Sequence, residues 1–208
     1  TLGLRRRYGE AKLDVGDPVL DGLDYDIGEA QFGLTFDRID NRFMPRAGTL
    51  ATLNQVVSRP GLGADVAFEQ TNLDLLHARA IGRHSGFAGL RYHASSDDPI
   101  PIQSLFLIGG LTRFAGYLPT ERAVPNYALG YGGYTYELGR VLGRAAVLGG
   151  TIEYGRTWAT GQDLDDGESE LHGSIYFGFD SWLGPLQLGY GLREGGDGIF
   201  LLELGRTR

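Results

Sequence analysis

Polar and apolar residues alternate with a period of two along almost the whole of this 208-residue chain, and helical spacing is nearly absent. That alternation puts successive side chains on opposite faces of a strand, so each such stretch is read as β. In "AQFGLTFDR", Ala30, Phe32, Leu34 and Phe36 share one face, and Gln31, Gly33, Thr35 and Asp37 the other. In "LGGTIEYGRTW", Leu148, Ile152, Tyr154 and Trp158 oppose Gly149, Thr151, Glu153, Gly155 and Thr157. "LHGSIYFGFD" sets Leu171, Ile175, Phe177 and Phe179 against His172, Ser174, Tyr176, Gly178 and Asp180. "LQLGYGLR" sets Leu186, Leu188, Tyr190 and Leu192 against Gln187, Gly189, Gly191 and Arg193.

About eleven strands are expected on this pattern, near 1–7, 10–17, 28–39, 48–59, 63–81, 83–95, 126–140, 143–158, 167–181, 184–194 and 198–206. Short turn signals separate them, among them Tyr8-Gly9, Leu183-Gly184-Pro185 and the Gly195-Gly196-Asp197-Gly198 run. Two longer connections stand out, 17–27 and 96–125. No linker is read, so residues 1–208 are expected to form a single β-segment.

The two faces differ in a way that bears on solvent. One is rich in Gly, Thr, Asp, Glu, His and Arg, and the apolar one repeatedly ends in Tyr or Trp. Small and charged residues suit the crowded wet inside of a barrel, and aromatic-ended apolar faces suit lipid with interfacial girdles. In hydrocarbon every backbone group must be bonded within the sheet, which requires closure. A membrane-crossing strand needs about 9–11 residues, which most of these runs supply. The expected fold is therefore all-β, an antiparallel up-and-down transmembrane β-barrel. A soluble up-and-down barrel or sandwich, binding a ligand, uses the same alternation and stays open as an alternative.

Composition narrows the classes further. A net charge of −7 and a pI near 5.1 exclude a nucleic-acid partner, since no basic face neutralises phosphates and Arg5-Arg6-Arg7 is too short to supply one. Cysteine is absent, which removes disulfides and thiolate metal sites. No run approaches the roughly 18 apolar residues of a spanning helix. Thr1 opens directly into patterned sequence with no signal peptide, as expected of a piece of a longer protein.

Two motifs interrupt the alternation. In "FDRIDNRFMPRAGT", Asp37 falls on the polar face, and Asp40 and Asn41 sit where short side chains bond to a turn's backbone. Phe43 offers an aromatic at the interface level, Pro45 fixes φ, and Gly48 supplies unusual backbone before the next strand. An Asx-stabilised hairpin with no further role accounts for the stretch equally well. In "FLIGGLTRFAGY", residues 106–117, an apolar glycine-rich run carries Arg113 and is poor material for a lipid-facing strand. It reads as a loop folded into the lumen, with Arg113 requiring an acid such as Glu153 or Asp180, because a buried unpaired arginine is costly. The plainer reading is a surface loop packed on itself.

These residues resemble a known superfamily. Asp37, Asp40, Asn41, Pro45 and Gly48 resemble the strand-turn motif of the outer-membrane superfamily that includes barrel-assembly and two-partner-secretion transporters. Gly109-Gly110 followed by Gly116-Tyr117 resembles that superfamily's inward-folded loop motif, although Ala115 stands where its arginine commonly precedes the glycine. The tail, from "GGTIEYGRTW" through "SIYFGFDSWLGPLQLGYGLREGGDGIFLLELG", is similar to the C-terminal barrel of bacterial patatin-like phospholipases, which are autotransporters with a lipase head. The likeness runs from about residue 9 to 206, but the chain ends "LGRTR" rather than on a terminal aromatic. The resemblance implies a barrel of about sixteen strands, of which these are the last, with a periplasmic linking domain and hydrolase head upstream.

The same resemblance implies a bacterial outer-membrane location and a barrel that anchors, and in one version exports, its lipase head. Implied partners are outer-membrane lipid, the fused N-terminal hydrolase domain and the outer-membrane assembly machinery, with a homodimer left open. The alternative is a barrel acting on other polypeptides, of the protein-insertion or secretion type. The chain itself carries no Gly-x-Ser-x-Gly elbow, Ser174 lies mid-strand, and its four histidines lack metal spacing. The "DLDDGESE" stretch lacks calcium-loop spacing and reads as a solvated hairpin tip. No catalytic residue, metal or cofactor is expected in this segment.

Overall fold

The computed structural model describes residues 2–11, 23–95, 100–141 and 144–205. Among them are twelve strands: β1 (Leu2–Ala11), β2 (Leu23–Asp37), β3 (Gly48–Ser58), β4 (Phe68–Ile81), β5 (His84–Ser95), β6 (Phe106–Ile108), β7 (Arg122–Val124), β8 (Asn126–Val141), β9 (Arg144–Trp158), β10 (Glu168–Ser181), β11 (Gly184–Arg193) and β12 (Ile199–Leu204). Ten make one antiparallel sheet in the order β1-β2-β3-β4-β5-β8-β9-β10-β11-β12, and β6 pairs with β7 alone. Every neighbour in the large sheet is next in sequence except β8 beside β5, where the intervening connection carries β6 and β7. The chain is thus an all-β, up-and-down barrel wall, whose described edges are β1 and β12.

The pairing fixes which side chains share a face. Glu153 on β9 lies opposite Tyr131 of β8 and His172 of β10, and all three are buried. Their neighbours Ile152, Tyr154 and Ile175 are 63%, 57% and 67% exposed. On β11 and β12, Gln187 and Leu201 are buried while Leu188, Phe200 and Leu202 face out. The core lies inside the curl, where Leu76, Phe87, Tyr127, Leu129 and Tyr131 pack against Ile108, Phe114, Tyr117 and Val124 of the long connection. A greasy outer surface around an enclosed mixed interior is the arrangement of a barrel whose solvent is lipid. Trp158 keeps outward parity yet is buried, with its ring 5.9 Å from that of Tyr92.

Contacts across the lumen show how far the sheet bends. The β2–β3 turn reaches β11, where Gln187 Nε2 donates to the Phe43 carbonyl at 2.9 Å. Arg46 of the same turn pairs with Glu137 of β8 and donates to the Gly82 carbonyl at 2.8 Å.

Several sequence boundaries move. Residues 10 and 11 continue β1, so Tyr8-Gly9 is no turn, and the rest of the expected 10–17 strand lies outside the described residues. The 17–27 connection shortens because β2 already begins at Leu23. Residues 63–67 are not strand: Pro60 starts a turn, Gly63 ends it at φ 87°, and Asp65 accepts the Asp26 amide at 2.7 Å. The carboxylate holds the loop back against β2 and delays β4 until Phe68.

Candidate functional site

The turn after β2 is built by its own side chains. Asn41 Oδ1 accepts the amides of Phe43 at 2.8 Å and Met44 at 3.0 Å. Asp40 Oδ1 accepts those of Asn41 at 2.8 Å and Arg46 at 3.0 Å. Asp37 caps Ile39 at 3.3 Å and pairs with Arg42. Pro45 is buried, and Gly48 at φ 112° stands so close to the Arg38 carbonyl that a Cβ would collide with it. The turn does not place Phe43 at the membrane interface as expected. It folds under the lumen, where Phe43 packs on Gly205 and Met44 joins Leu111, Val147, Tyr176 and Leu201. Leu111 belongs to the long connection, so a turn from one mouth meets a loop from the other.

That connection enters the lumen through the β6–β7 hairpin, with Phe106 opposite Val124 and Ile108 opposite Arg122. Between them, Gly109 and Gly110 take φ of 123° and 105°, and Thr112 and Phe114 take 64° and 63°. Positive φ in a bulky residue such as Phe114 is a sterically unfavourable state that surrounding contacts must hold. The inner wall is shaped for this. The Phe114 ring occupies the space a side chain at Gly155 would need, the Ala115 carbonyl fills that at Gly191, and Leu111 lies against Gly189. Gly116 in turn sits against Arg193 with no room for a Cβ.

Polar contacts complete the seat. Glu153 is fully buried, and its Oε2 accepts the amides of Phe114 at 2.7 Å and Ala115 at 3.1 Å. Thr151 donates to the other oxygen at 3.2 Å, and its hydroxyl also meets that of Ser174 at 2.7 Å. A buried carboxylate is tolerated when several donors satisfy it, as here. Gly116 donates to His172 Nδ1 at 3.3 Å, which leaves the imidazole proton on Nε2, facing Glu170 at 3.1 Å. Tyr117 donates its hydroxyl to Glu170 at 2.8 Å and accepts from Arg122 at 2.8 Å. The guanidinium groups of Arg122 and Arg193 lie over its ring, 5.0 and 4.7 Å from the centroid. Leu111 N donates to Glu203 of β12 at 2.6 Å.

The expected Arg113 pairing is not what holds the loop. Glu153 is taken by main-chain amides, and Asp180 sits near the β10–β11 turn opposite Pro185, outside the described loop contacts. Arg113 instead lines a cavity of about 750 Å³ with Arg42, Asp74, Arg91 and Glu203, and no ion pair of Arg113 occurs among the described residues. Alternation alone places Glu153 on the polar face but does not reveal its partners, since amide donors carry no residue identity. These groups are spent on holding the loop: Ser174 meets Thr151, not a histidine, and His172 is committed to Gly116 and Glu170.

No curated protein matches the chain. Comparison with protein families matches residues 5–162 to the Omp85 superfamily domain, a stretch that contains the turn motif, the lumen loop and Glu153. With well over half its length matched, and with this sheet, the chain belongs to the Omp85 superfamily and supplies wall strands of an outer-membrane barrel of the transport and secretion type.

Proposed function

We propose that this chain is the C-terminal part of a barrel that anchors an attached patatin-like hydrolase in the bacterial outer membrane, with the 96–125 connection as a brace that closes the lumen. The observation that carries the reading is the loop seat, in which one buried wall carboxylate holds two successive loop amides. The hydrolase part of the reading rests on the tail, where Phe177-Gly178, Asp180 and Leu183-Gly184-Pro185 are similar to the patatin-like group. Closure of the wall by further strands, to about sixteen, belongs to the same proposal.

Two measurements on the full-length protein test it. A fluorophosphonate probe should label a serine in the part preceding Thr1, and absence of labelling removes the lipase. Single-channel conductance in planar bilayers should be low for the native protein and raised by Glu153→Ala; equal conductance removes the brace. A barrel that inserts or secretes other polypeptides is the second reading, favoured by the superfamily match itself. Tandem linking domains upstream, in place of a hydrolase head, would decide for it.

A further inference from the structure

The two mouths of the barrel carry opposite charge. Connections after β3, β5, β9 and β11 lie at the loop-side mouth, and among the described residues there the exposed acids Asp65, Glu121, Asp163, Asp165, Asp166, Glu168, Glu194 and Asp197 outnumber the arginines Arg6, Arg59, Arg122, Arg156 and Arg193. At the turn-side mouth, where β2, β4, β8 and β10 end, the exposed cations among the described residues are Arg38, Arg42, Arg79, Arg83 and Arg140, of which Arg42 pairs with Asp37. The acids near them are engaged: Asp37 with Arg42, Glu137 with Arg46, and Asp40 with two amides of its own turn. Asp180 is half-buried on the inner face.

The β4–β5 hairpin carries this charge onto the outer surface. Outward along β4 run Leu73, Leu75, His77, Arg79 and Ile81, so the face changes from hydrocarbon to cation within one strand. Arg79 pairs in register with Gly86, and Gly86 with Tyr134. A side chain at Gly86 would meet nothing within 4 Å, which leaves an open place between the guanidinium-bearing strand and the tyrosine. The Tyr134 hydroxyl meets His84 Nδ1 at 2.5 Å. Ile81, 72% exposed, and Arg83 of the turn close the same patch.

We propose that this patch binds the phosphate of anionic phospholipid headgroups in the leaflet at the turn-side mouth. The inference rests on the lipid-facing reading of the outer surface. An apolar face ending in cations matches a phospholipid, whose acyl chain meets Leu73 and Leu75 where its phosphate meets Arg79 and Arg83. Guanidinium forks suit phosphate oxygens better than ammonium groups do. The hydrogen-bonded Tyr134–His84 pair adds polar groups on the same face.

The test folds the full-length protein into vesicles of equal parts phosphatidylglycerol and phosphatidylcholine and counts retained lipids by native mass spectrometry. The native protein should retain phosphatidylglycerol preferentially, by about fivefold for each arginine. Arg79→Gln with Arg83→Gln should lose that preference, and Arg79→Lys with Arg83→Lys should keep most of it, which separates charge from folding. Added inorganic phosphate should not displace the lipid; displacement would assign the patch to a free anion and overturn the proposal. Equal retention by native protein and the Gln variant overturns it while leaving the barrel reading intact. Failure to enter vesicles overturns both.

Discussion

Glu153 and Phe114 stand 2.7 Å apart, carboxylate oxygen to amide nitrogen, and this bond ties the wall of β9 to the one bulky residue of the loop tip that is forced to positive φ. An unfavourable backbone state of that kind costs on the order of 1–3 kcal/mol. A hydrogen bond to a charged group contributes about 1.5–3 kcal/mol, and Ala115 adds a second. The two bonds to Glu153 thus offset the strained backbone at Phe114, beside the burial of Phe114, Leu111 and Tyr117.

Glu153→Ala should leave both amides unsatisfied and lower the stability of the seated loop by about 2–4 kcal/mol. Glu153→Gln, whose amide oxygen still accepts, should cost less. Heat-modifiability on semi-native gels should rank native protein above Glu153→Gln and Glu153→Ala lowest; equal temperatures would remove Glu153 from the seat.

Arg113→Ala should behave differently. With no described ion pair and an open cavity beside it, the truncation should change stability by less than about 0.5 kcal/mol. A fall in melting temperature as large as that of Glu153→Ala would show that the guanidinium, not the backbone, braces the loop.

Gly155→Val should expel the Phe114 ring, since the ring already fills the space beyond the Gly155 Cα. Limited proteolysis should then cut the 105–121 segment. Adding Phe114→Ala should restore partial protection by vacating that space, so the two changes should couple by about 0.5–3 kcal/mol. Additive effects would place the ring elsewhere.

How much of this could be read from the sequence depends on whether side chains or main chain carry the information. The faces of β9, β10 and β11 were legible because Thr151, Glu153, His172 and Tyr176 alternate with Ile152, Tyr154, Ile175 and Phe177. The glycine-rich loop with a charge in it signalled an interior position, and its glycines fit a crowded wall. The clamp was not legible, because the groups bound to Glu153 are amides that any residue would present. Nor was the tuck of the β2–β3 turn: Phe43 reads as an interfacial residue until long-range curvature brings Gly205 beneath it and Leu201 against Met44. The start of β4 was misread because "GLGADVAF" alternates well enough, whereas Pro60, Gly63 and the Asp65 bond to Asp26 hold it out of the sheet.

Asn41→Ala removes the acceptor for two turn amides and should cost about 1–2 kcal/mol. Because Met44 and Phe43 plug the lower lumen, amide exchange should rise at residues 42–47 and also at Leu111, which touches Met44. Exchange confined to the turn would show that the two plugs act separately.

The central claim concerns which solvent each face meets, and the absence of cysteine permits a direct test. Single cysteines replacing Ile152, Ile175 and Leu202 on one face, and Thr151, Ser174 and Gln187 on the other, can carry a fluorophore in the full-length protein folded into vesicles, with any cysteine outside these 208 residues replaced by serine. A nitroxide on the acyl chains should quench the first three strongly and leave the second three nearly unchanged. Equal quenching of both sets, or the reverse order, would contradict a barrel with its apolar face in lipid.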